Sequence, residues 1–106
     1  MFSVRRSKVH GRGCFANQSI RVGTVCRAPG YEVDEDQATF RSVWDGDQAY
    51  NLYSPFCYLN HDNDPNADLY LTDDGWELYF LRHVAKDEEV TIDYGFDPSE
   101  PDDDTE

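Results

Sequence analysis

Short β-forming runs, two of them (Phe2 to Arg6 and Thr39 to Trp44) alternating apolar and polar residues with a period of two, are separated by turn-forming residues along this chain. Phe2-Ser3-Val4-Arg5-Arg6 predicts an edge strand, closed by a turn over His10-Gly11-Arg12-Gly13. Cys14-Phe15-Ala16 and Val25-Cys26-Arg27-Ala28 predict two more strands, joined through Asn17-Gln18 and a turn at Gly23, after which Pro29-Gly30 breaks the chain. Glu32 to Asp36 carries no assignable pattern. A helix from Asp34 would place Gln37, Phe40 and Trp44 on one face, whereas Thr39 to Trp44 also alternates; Asp45-Gly46 favours the strand, with Gln48 to Tyr53 returning as its hairpin partner. Leu69 to Thr72, a turn at Asp73-Asp74-Gly75 and Trp76 to Leu81 predict a second hairpin. The apolar residues on both faces of its second strand predict cover on both sides. A turn over Val84 to Glu89 and a last strand over Val90 to Tyr94 complete a mainly β domain of small twisted sheets.

Composition narrows the picture. A chain of 106 residues, 39% hydrophobic and 14% aromatic, supports one domain with a modest core rich in rings. No run has the roughly 20 apolar residues of a membrane helix, and the N-terminus lacks a signal-peptide segment, so an intracellular protein with no membrane contact is expected. Cys14, Cys26 and Cys57 are widely spaced, which predicts thiols rather than a disulfide framework or a metal site. The net charge of −13 disfavours direct nucleic-acid binding and favours a basic protein partner. Residues 97–106 hold six of the acidic groups and predict a disordered tail, leaving residues 1–96 as the domain.

Three stretches are not ordinary surface. In Asn60-His61-Asp62-Asn63-Asp64-Pro65-Asn66, polar groups follow directly on a Phe-Cys-Tyr-Leu run and must find partners if buried. Asp87-Glu88-Glu89-Val90-Thr91-Ile92-Asp93-Tyr94 ends a β-type run in a tyrosine. Ser7-Lys8-Val9-His10-Gly11-Arg12-Gly13-Cys14-Phe15-Ala16 carries two glycines one residue apart, which permit positive φ and close approach of a ligand to the backbone. Together and in this order they resemble the SET-domain protein-lysine N-methyltransferases, in a minimal form without zinc-binding flanks.

The resemblance implies a fold of small sheets whose C-terminal segment forms a pseudoknot, S-adenosyl-L-methionine as cofactor, and a lysine ε-amine of a basic protein as acceptor. It makes Tyr94 the catalytic tyrosine. Gly11, Arg12 and Gly13 become the loop along the cofactor, Asn60 the contact to its methionine part, and His61 the residue whose backbone holds the adenine. Phe96 is a candidate for stacking on that ring. Phe40, Tyr50 and Tyr53 are candidate walls of the acceptor-lysine channel. Ile92 stands two residues before Tyr94, where the family usually has Phe or Tyr. Asp62 replaces the motif's serine, and Asp87 replaces its glycine, so that turn must avoid positive φ or tolerate Asp. Minimal members can pair, so a homodimer is a further expectation.

Two other readings compete. Asp62, Asp64, Asn66, Asp68 and Asp73 occupy calcium-loop positions, although Ala67 stands where glycine is required. A catalytically inactive acidic module that captures basic segments is the other.

Overall fold

The computed structural model describes residues 1–94, so Phe96 and the acidic stretch 97–106 lie outside the described residues. Among the described residues ten strands run in chain order: β1 (Phe2–Arg6), β2 (Arg12–Ala16), β3 (Val25–Arg27), β4 (Gly30–Val33), β5 (Val43–Asp45), β6 (Gln48–Leu52), β7 (Asn60–His61), β8 (Ala67–Thr72), β9 (Gly75–Phe80) and β10 (Glu89–Ile92). They form three sheets, ordered β1-β2-β10-β7, β3-β9-β8 and β4-β6-β5. The mainly β fold of small sheets is thus observed.

The last strand organises the first sheet. β10 runs antiparallel to β2, with Val90 opposite Cys14, and parallel to β7, with Thr91 opposite Asn60. The segment that follows β7 keeps hold of it. Asp62 N donates to Ile92 O at 2.9 Å, and the buried Asn66 side chain donates to Glu89 O at 2.8 Å while accepting from Thr91 N at 3.0 Å. The C-terminal strand is therefore gripped by residues 60–66, the pseudoknot arrangement that the resemblance implies. Beneath it lies the main core, centred on Cys14, Leu78, Phe80, Val84, Val90 and Ile92.

Several local expectations change. Arg12 and Gly13 belong to β2 rather than to the preceding turn, because the first hairpin pairs from Phe2↔Ala16 down to Arg6↔Arg12. Gly30 opens β4 instead of breaking the chain, and a Cβ there would come within 2.7 Å of Asn51 O on β6. Glu35–Gln37 forms a 3-10 turn, with Asp34 and Gln37 exchanging capping bonds. The hairpin expected over 39–53 forms, but Thr39 to Ser42 is a turn held by Ser42 N→Thr39 O at 3.0 Å, and only Val43–Asp45 is strand. β9 is covered on one face only: Trp76, Leu78 and Phe80 are buried, while Tyr79 on the alternate face is 38% exposed.

Candidate functional site

Gly11 adopts φ +48°, the left-handed region that suits glycine, and its carbonyl accepts from Ser7 N at 2.7 Å to close the first turn. Gly13 matters for a different reason. A Cβ there would collide with the Glu89 carboxylate. That carboxylate joins all three motif stretches: Ser7 Oγ donates to Oε1 at 2.7 Å, and Asn60 Nδ2 lies 2.8 Å from Oε2.

Asn60 is 4% exposed, and its amide nitrogen also faces His10 O at 3.1 Å and Arg12 O at 3.0 Å. Three surrounding oxygens fix which end of the amide is nitrogen. Its Oδ1 accepts no hydrogen bond from the described residues, so a cofactor donor can be met there beside the Gly11 loop. The residues present therefore fit the group that the resemblance implies.

His61 fixes the start of the C-terminal arm. Its Nδ1 accepts from Tyr94 N at 2.9 Å, and its Nε2 lies 2.7 Å from Asn63 Oδ1. Asp93 Oδ1 lies 3.6 Å from the same Nδ1, the spacing of an ion pair. A backbone N–H can only donate, however, so Nδ1 carries the lone pair and the ring proton is on Nε2. The His61 and Tyr94 rings are 5.4 Å apart. The half-buried Tyr94 phenol donates to Leu59 O at 2.5 Å. Burial pushes its pKa up, with Arg41 pulling the other way, so the phenol is a neutral donor near pH 7.

Tyr94 and Ile92 share a cavity of about 260 Å³ whose walls are otherwise Ser42, Val43, Trp44, Leu69, Trp76 and Asp93. Trp76 is buried, and its indole N–H has no partner among the described residues. Of the channel residues expected from sequence, Tyr50 stands behind this wall, edge-on to Trp76 at 5.5 Å. Phe40 and Tyr53 do not line it: Phe40 is 64% exposed against His10 and Arg41, and Tyr53 packs on Tyr31. The tryptophans were missed because each reaches the cavity through strand pairing, Trp44 on β5 opposite Ala49 of β6 and Trp76 on β9 opposite Leu71 of β8. The Asp45-Gly46 hairpin was the available signal.

Arg41 was also missed. Its guanidinium donates to Cys57 O at 3.3 Å and Arg12 O at 3.2 Å and lies over the Phe40 and Tyr58 rings at 5.2 and 5.1 Å. The calcium-loop reading loses its geometry, because residues 67–72 form β8 and carry Asp68 along a strand. Among the described residues no group of three or more His, Cys, Asp or Glu side chains is placed to hold a metal ion, and no helix is long and apolar enough to cross a membrane.

Comparison with known proteins accords with this geometry. The fold is similar to Plasmodium falciparum PFL0690c, assigned as a histone methyltransferase, with a TM-score of 0.74, 18% identity, and coverage of 91% of this chain and 98% of that one. It is also similar to the SET domain of the RIZ1 tumour suppressor (PRDM2), with a TM-score of 0.67, 14% identity, and coverage of 92% and 71%. No curated protein matches the sequence at a significant level. The family model for the SET domain matches residues 11–95, which contain the glycine turn, the Asn60-His61 segment and the strand leading to Tyr94, and the chain belongs to the SET-domain family.

Proposed function

We propose that this protein transfers a methyl group from S-adenosylmethionine to the ε-amine of a lysine in a basic protein. The observation that carries the reading is the meeting of Tyr94 and Ile92 on one largely apolar cavity, with Asn60 on the same sheet bonded both to Glu89 and to the Arg12 carbonyl between the two glycines. When bound, the cofactor supplies an electrophilic methyl on a sulfonium. Gly11, Arg12, Gly13, Asn60 and His61 are the residues that would hold it.

The acceptor amine must be neutral, although lysine in water has a pKa near ~10.4. Val43, Trp44, Leu69 and Trp76 give the cavity apolar walls, and desolvation against them favours loss of the ammonium proton. Tyr94 does not act as a base, because burial holds its proton on. Its O–H donates to the Leu59 carbonyl, which fixes the phenol at the cavity where it can orient the incoming amine. Ile92 has no hydroxyl with which to anchor a water, so the channel accommodates more than one methyl. The negative charge of the domain favours a lysine set among other basic residues.

The test is transfer of labelled methyl from S-adenosylmethionine into a lysine-rich protein. The wild type should label lysine, with dimethyl-lysine visible by mass spectrometry at saturation. Tyr94→Phe should lose about 100-fold in rate while still binding the cofactor. A wild type that binds S-adenosylmethionine but labels no lysine would leave the inactive, basic-segment-binding module in its place.

A further inference from the structure

Arg41 stands out against the charge of the molecule. The chain has 22 Asp and Glu against 9 Lys and Arg, yet among the described residues no carboxylate lies within ion-pair distance of this guanidinium. Neutral groups hold it instead. Nη1 and Nη2 each donate to one backbone carbonyl, and the Phe40 and Tyr58 rings flank it. A cation so fixed, with N–H donors that no carboxylate among the described residues accepts, is set up to meet an anion.

Its position identifies the anion. Arg12 O accepts from both Arg41 Nη2 and Asn60 Nδ2, so the guanidinium and the Asn60 amide converge on one carbonyl of the glycine loop. Asn60 Oδ1, which accepts nothing from the described residues, adds an acceptor beside this cation. A cation next to a neutral acceptor, on a backbone turn opened by Gly11, matches the head of an α-amino acid, whose carboxylate and ammonium sit on one carbon. Resting on the function proposed above, we infer that Arg41 receives the carboxylate of the cofactor's methionine head, with Asn60 Oδ1 taking the ammonium. Arg41 is then a specificity residue supplied by the Thr39–Ser42 turn, outside the three motifs.

The test compares two ligands that differ only in that carboxylate. The full chain is titrated calorimetrically with S-adenosylmethionine and with its decarboxylated analogue. The wild type should prefer S-adenosylmethionine by about tenfold or more. Arg41→Gln should erase that preference by weakening S-adenosylmethionine alone, and Arg41→Lys should keep part of it. Binding of the analogue shows that a variant is folded; if Arg41→Gln is not, the wild-type preference and Arg41→Lys decide. Equal affinities in the wild type, or equal losses for both ligands on substitution, overturn the assignment and leave the proposed function standing. A wild type that binds neither ligand overturns both.

Discussion

The sheet β1-β2-β10-β7 and the sheet β4-β6-β5 both contribute to the site, but they are held in different ways. In the first, side-chain polar groups reach across distant segments: Glu89 to Ser7 and Asn60, Asn66 to β10, His61 to Tyr94. In the second, strand pairing, ring edges and an arginine against carbonyls do the work. The first kind of contact admits few residue types. Only a side chain with both donor and acceptor can do what Asn66 does, and any side chain at position 13 would push the Glu89 carboxylate off its partners Ser7 and Asn60. The second kind admits many. Any flat apolar group can form the channel wall, so Trp44 and Trp76 leave no fixed signature.

The largest effect should follow from breaking the polar grip. Asn66→Ala would leave the Thr91 N–H and Glu89 carbonyl unpaired in the interior and remove buried volume, for a loss of about 4 kcal/mol. Urea unfolding measures it, and a loss under ~1 kcal/mol would mean that strand pairing alone holds β10.

Alkali should sharpen the contrast next. Burial pushes the Cys14 thiol, under the first sheet, up from 9.0 to about 12. The folded-state value is raised, so the unfolded chain loses its proton first. The associated stability is complete below pH 9 and disappears as pH climbs toward 12, with about 3 kcal/mol gone by pH 11. Cys26, Cys57 and Tyr94 are shifted in the same direction, and Arg41 offsets part of the shift at Cys57. Cys14→Ala should therefore remove most, not all, of the slope of urea midpoint against pH. An unchanged slope would show that the interior of the first sheet is wetter than its burial implies.

This difference also explains what the sequence disclosed. The three motif stretches, Tyr94 and the enclosure of β10 were legible because their polar bonds fix residue type and spacing. The turn residues Asp73-Asp74-Gly75 between two β-forming runs gave the β8-β9 hairpin, since a tight turn is a local property. Cover on both faces of β9 was not local: it depended on what would pack against Tyr79, which emerges half in solvent. Phe40 and Tyr53 offer rings suited to a channel wall, but a ring's direction follows from the turn before β5 and the end of β6. Trp44 tests that reasoning. It is 44% exposed, so Trp44→Ala should change stability by less than ~0.5 kcal/mol while raising KM for a lysine peptide about tenfold. An unchanged KM would move the acceptor channel elsewhere.

The smallest effect concerns Asp87, where the motif's glycine is missing. The turn does not avoid positive φ: Asp87 adopts +72°, its N–H donating to Ala16 O at 2.7 Å and its carboxylate lying 3.0 Å from Arg5 Nη1. Aspartate tolerates this region better than most residues but still at some cost, while the ion pair is solvent-exposed on both sides and contributes little. Glycine would relieve the backbone, lose the pair and loosen the unfolded chain, for a net gain of about 0.5 kcal/mol in Asp87→Gly. Thermal unfolding at low and high salt separates these contributions. A variant that is less stable at low salt and equal to wild type at high salt would show that Arg5–Asp87 outweighs the strained turn, and that even here the first sheet relies on a polar contact between distant segments.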